Sequence, residues 1–430
     1  MTLLHCTRSW ARGSILLALA LLSGVSGAAQ QSYTWDQIKG KFEADNPTLK
    51  ADQSGVDELK AEEITAYLRP NPQFTLSQDG TQIAPHNSVW QPLRGTYIVP
   101  TVSYLHEREH KRELRLESAQ EGARIGQAQH EDLNRNMLFG LRTAFVATLQ
   151  AKVVLDLARA DLEYYDKIID ISRNRFRAGD LAQIDLDRIE LFRAQYEVEI
   201  QSAIVNLRTA KIQLLQLLDD NKTPVEQFEV TGRFDFTETI RPLEDFRQIA
   251  LNTRPDLQAA LQTIHQSETN YKLAWANGST DPTFSGWYTY NSSNNNPNGI
   301  DTLGASVNIP LRIFDRNQGE KQRTQIDIAR SQQASEAARA QVFSDVDTAY
   351  ALVGSNIALL KPYKEKYNGQ ALRVRDTVTY AWQHGGASLM DFLNAQSDYR
   401  QVQLAYVQLI GAYLMAAAQL NMAAGQEVIQ

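Results

Sequence analysis

Apolar residues recur at alternating spacings of three and four in two long segments of the chain, one in each half. The first series is Leu186, Ile189, Arg193, Tyr196, Ile200, Ala203, Leu207, Ala210, Leu214 and Leu217, and only Arg193 departs from the pattern. The second series lies 206 residues later, at Phe392, Ala395, Tyr399, Val402, Tyr406, Leu409, Tyr413, Ala416, Leu420 and Ala423. This spacing is typical of the seam of a coiled coil. The sequence therefore predicts long paired helices in both halves.

A second long helix is predicted before each of these segments, so that each pair forms a helical hairpin. No proline occurs from about Tyr104 to Arg177, which is about 74 residues and would span about 110 Å as a helix. No globular core is that long. Short glycine-bearing segments, 177–181 and 384–388, form the predicted turns. Pro362 should kink the corresponding helix of the second half, because proline removes one backbone donor.

Two shorter segments alternate polar and apolar residues, which predicts β-strands. One covers residues 302–309; in the other, Phe284, Tyr288 and Tyr290 share a face opposite Trp287. Such alternation is typical of a membrane barrel strand with one lipid face and one wet face, but a half-buried hairpin of a soluble protein gives the same pattern. Trp287, Tyr288 and Tyr290 are candidates for an aromatic belt at the membrane interface, or they simply pack within a hairpin.

Several markers repeat in the same order along the chain. Residues 46–49 match 254–257 at an offset of 208, residues 71–74 match 281–284 at an offset of 210, and residues 179–217 match 385–423 at an offset of 206. Nearly constant offsets indicate a duplicated unit of about 200 residues. We interpret the chain as two repeats, 33–240 and 241–430, each with a helix, two strands and a long helical hairpin.

Composition restricts the function further. The 430 residues include 43 Lys and Arg against 50 Asp and Glu, a net charge of −7, so there is no basic field to hold a nucleic acid. The single cysteine, Cys6, permits neither an intramolecular disulfide nor a multi-cysteine metal site. These features exclude a nucleic-acid partner and a disulfide-based fold.

The N-terminal segment has the pattern of a secretory signal. Arg8 and Arg12 precede an apolar run at 15–22, and small residues follow up to Ala29, so residues 1–28 are expected to be removed on export. We expect no other uncharged apolar stretch to approach the ~18 to 20 residues that a membrane helix needs. If the protein spans a membrane, it should do so as strands.

In these features the chain resembles the TolC family of outer-membrane channel proteins. The resemblance rests on four motifs spread over the mature chain. They are Arg254–Leu257 after Ala250; Pro282 with Phe284; Ile309–Leu311 with Phe314–Asn317; and Gly385 followed by Asp391, Phe392, Leu393 and Ala395.

The resemblance implies a mainly α fold with a small antiparallel β-barrel part. Three identical chains would form a twelve-stranded barrel in the outer membrane of a Gram-negative-type envelope, surrounded by lipid, and a twelve-helix tube across the periplasm. It also implies a passive exit duct for a tripartite efflux system, with no catalysis and no cofactor. Energy would come from an inner-membrane pump, of the RND type, through a periplasmic adaptor. Residues 69–73 are similar to members that serve metal-ion pumps.

The resemblance also assigns roles to the two hairpin turns. Gly179, Asp180 and Leu181, with Gly385, Gly386 and Ser388, would form the tips on which the adaptor docks; the alternative is that the glycines merely let the chain reverse. An arginine and a tyrosine that form a latch in well-known members correspond to Ala387 and Trp382 here, which puts that latch in doubt.

Asp391 matches the position that lines the periplasmic aperture of the family. Three copies would form an acidic ring that attracts cations. Ser388 and Asp391 also have the spacing of a capping box, so both roles are possible. The second aperture carboxylate of the family is Asn394 here, and Asp185 occupies the equivalent place in the first repeat.

Three other functions share parts of this sequence pattern. His106, Glu107 and His110 fit the H-E-x-x-H zinc motif, but the charged residues that follow and the lack of a third ligand nearby argue against a secreted zinc peptidase. We therefore assign no metal site. A soluble periplasmic coiled-coil scaffold would share the helical pattern. An exit channel for protein secretion would share the whole architecture, although efflux of small molecules or metal ions is favoured.

Overall fold

The computed structural model describes residues 31–93, 95–291 and 301–429. The predicted signal, residues 1–28, lies outside them. The elements of the first half are β1 (Gln31–Tyr33), α1 (Trp35–Asp45), α2 (Pro47–Tyr67), β2 (Gln73–Asp79), β3 (Tyr97–Leu105), α3 (Lys111–Ala178), α4 (Gln183–Leu217) and β4 (Phe228–Val230).

The second half repeats the order of helix pair, strand pair and helical hairpin. Its elements are α5 (Leu243–Thr253), α6 (Pro255–Asn277), β5 (Thr283–Asn291), β6 (Asp301–Asn308), α7 (Gln318–Pro362), α8 (Asn368–Gln383) and α9 (Leu389–Ala424). Both helix pairs break at the residue before a proline. Asn46 ends α1 and its side chain accepts hydrogen bonds from the first turn of α2, and Arg254 stands at the same place between α5 and α6.

The first long helix begins later than the sequence suggested. Strand β3 continues to Leu105, where it pairs with Thr283 of β5, and Glu109 and His110 have positive φ angles of 57° and 55°. The expected start near Tyr104 is therefore wrong, because pairing with β5 holds these residues in a strand. Helix α3 has 68 residues, which corresponds to about 100 Å.

The interruption expected at Pro362 is present. Helix α7 ends at this proline, and a π-helical turn, Tyr363–Tyr367, connects it to α8. A π-helical turn adds one residue to the helix and commonly accommodates such a break.

Four strands form one antiparallel sheet in the order β2-β3-β5-β6. The central pair, β3 and β5, joins the two halves of the chain, with Thr101 opposite Trp287. Strands β2 and β6 are the two edges, and the sheet is not closed. A separate parallel pair, β1 with β4, lies outside this sheet.

The predicted seams are largely buried. Ile189 and Leu214 of α4, and Phe392 and Leu420 of α9, are fully buried. Arg193, the exception in the pattern, donates to Asp166 of α3 and to Glu197. Arg193 therefore connects α3 to α4 through an ion pair, whereas the other seam residues connect the two helices through apolar packing.

Helices α3 and α9 are long and apolar enough, by length and composition, to cross a membrane. The expectation that no such segment exists is therefore wrong: residues 401–426 of the chain carry no charge. In the fold, most of the apolar window of α9 is buried inside the protein. Its residues Ile410, Tyr413 and Leu420 belong to the core that α9 shares with α5 and α7.

Candidate functional site

The four-stranded sheet has one apolar and one polar face. The register places exposed apolar side chains together on one face: Phe74, Leu76, Ile98, Val102, Phe284, Tyr288, Tyr290, Leu303 and Val307. The opposite face carries Thr75, Ser77, Thr101, Ser103, Ser285, Thr289, Thr302 and Ser306. Leu303 is 87% exposed, which in water would be unfavourable for so large an apolar group. Two such faces are typical of the strands of a membrane barrel, which have lipid on one side and water on the other.

The belt predicted from Trp287, Tyr288 and Tyr290 needs a correction. Tyr288 and Tyr290 lie on the apolar face, whereas Trp287 pairs with Gly304 on the polar face. A Cβ at Gly304 would come within 2.3 Å of the Trp287 ring, so the glycine provides the space that the indole fills. A belt in contact with lipid can include the two tyrosines but not Trp287.

Helix α4 exposes a regular apolar stripe on the side away from its seam. The stripe consists of Ile184, Leu191, Val198, Val205 and Ile212, one residue in every seven, all of them exposed. Helix α4 packs chiefly on α3 through its seam. At the corresponding positions of α9, Gly411 contacts the Gln150 side chain of α3, and Ala418 is buried. The C-terminal part of this helix face is thus covered in the second half and uncovered in the first, whereas Met390, the counterpart of Ile184, is exposed like it.

The two hairpin tips have the same backbone geometry. Gly179 and Gly385 adopt left-handed φ angles of 84° and 77°. After each glycine, the next N–H donates back to the helix: Asp180 to the Arg175 carbonyl at 2.8 Å, and Gly386 to the Ala381 carbonyl at 2.7 Å. This is the Schellman motif, which requires a residue without a Cβ penalty at the turn. Both glycines therefore let the chain reverse direction between the two helices of their hairpin.

The predicted docking residues lie at these tips. Gly179, Asp180, Gly385, Gly386 and Ser388 are exposed. Leu181 is half-buried and packs on the cluster that contains Tyr165 and Phe392, so it supports the tip from within.

An arginine that the sequence reasoning missed connects the two tips. Trp382 is buried and stacks on Phe392 with ring centroids 4.5 Å apart. The guanidinium of Arg175 lies over the Trp382 ring at 5.1 Å and donates to the Trp382 carbonyl at 3.1 Å. Arg175 belongs to the first hairpin and Trp382 to the second. The pair could not be predicted from the sequence, because its two residues are 207 positions apart in the chain.

Asp391 forms the capping box that its spacing suggested. Its N–H donates to the Ser388 hydroxyl at 3.1 Å, and its carboxylate accepts from the Ser388 hydroxyl at 2.7 Å and N–H at 3.1 Å. The hydrogen bonds from the Ser388 side chain and backbone lower the pKa of Asp391. Asp391 and Asn394 are both exposed, one turn apart on α9, and Asp185 lies in the first turn of α4. The carboxylate is thus free to face solvent while it caps the helix.

A charged cluster joins both hairpins farther from the tips. Arg400 of α9 pairs with Glu199 of α4, and its guanidinium lies over the Tyr196 ring at 5.0 Å. Its Nε is 3.8 Å from the carboxylate of Asp161 on α3, which is too long for a hydrogen bond. Burial raises the pKa of Asp161 to about 6, and the attraction of Arg400 and Arg375 offsets this only in part.

The substitution Asp161→Asn should raise the melting temperature at pH 7.5 more than at pH 4.5. Because the folded pKa lies above the unfolded value of 3.8, the unfolded chain binds fewer protons between these pKa values, and the ionised carboxylate costs stability as the pH rises. Arg400 keeps Glu199 as its partner in the variant. Thermal unfolding of the detergent-purified protein at both pH values measures the effect.

Asp156→Asn, which removes an exposed carboxylate from the same helix, is the matched control. A gain for Asp161→Asn that is equal at both pH values would contradict this assignment.

The residues of the zinc motif do not share a helix. His106 follows β3 and its ring contacts Phe284 edge-on, while His110 has a left-handed backbone immediately before α3. Glu107 accepts hydrogen bonds from Arg115 at 2.5 and 2.9 Å. The zinc motif requires both histidines one turn apart on a helix, so this arrangement does not fit it. Within the described residues, no group of three or more His, Cys, Asp or Glu is placed to hold a metal ion.

Comparisons with known proteins agree with this geometry. The sequence profile of the family described as outer membrane efflux protein matches residues 246–426. The cobalt-zinc-cadmium resistance protein CzcC of Cupriavidus metallidurans is 23% identical over 383 residues, which cover 89% of this chain and 87% of CzcC.

Three solved structures share the fold over nearly the whole chain. CusC superposes with a TM-score of 0.74 at 16% identity, covering 91% of this chain and 92% of that one. VceC of Vibrio cholerae gives 0.70 at 15%, covering 91% and 96%, and MtrE of Neisseria gonorrhoeae gives 0.72 at 16%, covering 92% and 89%. Residues 246–426 therefore match the outer membrane efflux protein family, and the chain as a whole has the fold of solved outer-membrane channels.

Proposed function

We propose that this channel is a homotrimer that serves as the passive exit duct of a tripartite metal-ion efflux system. The observation that supports it most directly is the open sheet. Strands β2 and β6 each leave one edge without a partner strand among the described residues. Hydrocarbon does not tolerate unpaired backbone groups, so the edges must pair with other copies. Three four-stranded sheets would close a twelve-stranded barrel.

The helices support the same assembly. The exposed stripe of α4 needs a partner, and α7 with α8 carries a matching exposed stripe: Leu352, Leu359, Tyr367 and Val374. Its spacings are seven, eight and seven, and the extra residue falls in the π-helical turn Tyr363–Tyr367. That turn therefore keeps the stripe on one face. In the trimer, α4 of one copy packs on α7 and α8 of the next, as α9 packs on α3 within a chain.

The two halves, 33–240 and 241–430, are then the units of a tandem duplication. Six such units around one axis form the tube. The exposed tips, with identical turns, provide equivalent docking points for a periplasmic adaptor, through which an inner-membrane pump of the RND type supplies energy. The duct itself performs no catalysis and needs no cofactor.

Divalent metal ions are the cargo that the comparisons favour. The relative that matches most of the chain, CzcC, is named for resistance to cobalt, zinc and cadmium. The net charge of −7 and the exposed carboxylate at Asp391 are compatible with cation passage. No observation on this chain favours protein secretion instead.

Deletion of the gene should lower the tolerance of the host to cobalt, zinc or cadmium, and the intact gene should restore it. Membrane fractionation in the same strains should recover the protein from the outer membrane as a heat-sensitive trimer. Unchanged tolerance to all three metals, with the trimer present, would refute the metal cargo and leave the channel assignment intact.

Asp391→Asn should weaken the block of single-channel current by divalent cations in planar bilayers. An acidic ring binds cations by charge, and asparagine keeps the size of the side chain while removing that charge. Ser388→Ala is the matched control, because it removes the helix cap and keeps the carboxylate. If both variants are blocked like the wild type, Asp391 does not line the aperture.

A further inference from the structure

A cation lies against an aromatic ring at the same place in both halves of the chain. In the first half, Tyr67 ends α2 and the guanidinium of Arg112, at the start of α3, lies 4.2 Å from its ring centroid. In the second half, Trp275 lies near the end of α6 and the ammonium of Lys321, at the start of α7, lies 4.1 Å from its ring. Each pair joins the helix that enters the sheet to the helix that leaves it.

Exposed apolar residues continue from the sheet toward the second pair. Leu303 and Val307 of β6 belong to the apolar face, and the chain then passes through Ile309, Leu311, Ile313 and Phe314, all exposed. Phe314 is 89% exposed. The apolar surface of the barrel wall is thus continuous with the segment 309–314, which precedes α7 directly.

Near these two cation–aromatic pairs, the two halves of the chain differ in whether their cations are paired with carboxylates. Arg112 pairs with Glu113 at 2.9 Å. In the second half, Arg312, Arg316 and Lys321 form no ion pair with any residue that the structure describes. The nearby acids have other partners: Asp315 accepts from the Asn317 N–H, Glu320 pairs with Arg323, and Asp281 pairs with Lys111. Three cations therefore stand without a counter-charge beside exposed apolar side chains and an exposed tryptophan.

We propose that this surface, which consists of residues 309–314, Arg316, Trp275 and Lys321, binds the phosphate headgroup of a phospholipid in the inner leaflet of the outer membrane. Acyl chains contact the apolar face of the sheet, and this face ends where the unpaired cations begin. Tryptophan is favoured at the level of the headgroups, and Arg and Lys bind phosphate oxygens with charge-assisted hydrogen bonds. The site goes beyond the export function and depends only on the barrel being in the membrane.

The test uses the full chain purified in detergent. Native mass spectrometry counts dioleoyl phosphatidylglycerol molecules bound per trimer for the wild type and for the variant Arg312→Gln, Arg316→Gln, Lys321→Gln. We expect the variant to retain at most about one fifth of the bound lipid. The control Arg124→Gln, Arg323→Gln, Arg330→Gln removes the same charge from cations that are paired with carboxylates, and it should bind lipid like the wild type.

The same spectra separate the rival occupants. Equal lipid binding by the two triple variants overturns the proposal, as does displacement of the lipid by millimolar inorganic phosphate, which would indicate a site for the free anion. Dissociation of the trimer in the first variant also overturns it, because the surface would then be covered by a neighbouring copy. The single variant Arg312→Gln, with a partial loss of bound lipid, repeats the test with a smaller change.

Discussion

Placing aspartate at both Leu191 and Val198 should shift the protein from trimer to monomer, by more than about 100-fold in the association equilibrium. The two side chains are 71% and 66% exposed in the single chain and lie at the centre of the α4 stripe. Burying a side chain of this size contributes roughly 1.5 to 3 kcal/mol, and burying an unpaired charge costs more. The proposed trimer would contain three such contacts, so the effect multiplies. Light scattering on the purified, detergent-solubilised protein measures the mass.

The control places the same two charges off the stripe. Gln195 and Gln201 are exposed on α4 but belong to neither the seam nor the stripe. The variant Gln195→Asp, Gln201→Asp should remain trimeric. A trimer that persists in the Leu191 and Val198 variant would refute the packing of α4 on a second copy.

Arg254→Met should lower the stability of the chain by about 3 to 5 kcal/mol, which is the usual cost of removing one partner from a buried ion pair. Arg254 is only 2% exposed. It donates to both carboxylate oxygens of Asp256, at 3.0 and 2.5 Å, and to Asp345 of α7 at 2.8 Å. The variant removes the buried cation that both carboxylates share; Asp256 and Asp345 are 31% and 30% exposed, and among the described residues only Asp256 keeps a second cation nearby, Arg135 at 3.8 Å. Thermal unfolding in detergent at pH 7.5 measures the loss.

The pH dependence of this loss has a definite sign. Burial by itself raises the pKa of Asp256, but the hydrogen bonds and charge of Arg254 outweigh burial and hold the pKa below its ordinary value. A lowered folded pKa contributes stability above the unfolded value, and this contribution disappears as the pH falls below about 4. The difference between Arg254→Met and the wild type should therefore shrink in acid.

Arg247→Met provides the comparison for Arg254. Arg247 also binds a carboxylate with two nitrogens, at 2.8 and 2.6 Å to Asp347 of α7, but its side chain is 31% exposed, against 3% for that of Arg254. Exposed ion pairs contribute little, because water already solvates both charges. Equal losses for the two arginines would contradict the role given to burial.

Periodic burial is the part of this fold that the sequence by itself determined. Residues such as Ile189, Leu214 and Phe392 repeat at helical spacing because one face of each helix is dry. In strand β5, alternation predicted that Tyr288 and its neighbour Trp287 lie on opposite faces of the sheet, because successive side chains of a strand point to opposite sides. Gly179 and Gly385 were identifiable as turns since their backbone conformation requires glycine. Each of these signals is local, so a single chain segment carries it.

Only the tertiary structure decided which surfaces meet. Pairing of β3 with β5 fixed the start of α3 and took His106 and His110 out of a helix. Contact between the hairpins buried Asp161 and brought Arg175 onto Trp382. Long-range packing also covers one face of α9 around Gly411 and Ala418 and leaves the same face of α4 exposed, although both helices have the same periodicity. Periodicity indicates that one face of a helix is apolar and tends to be buried. Which element covers that face depends on contacts between residues far apart in the chain.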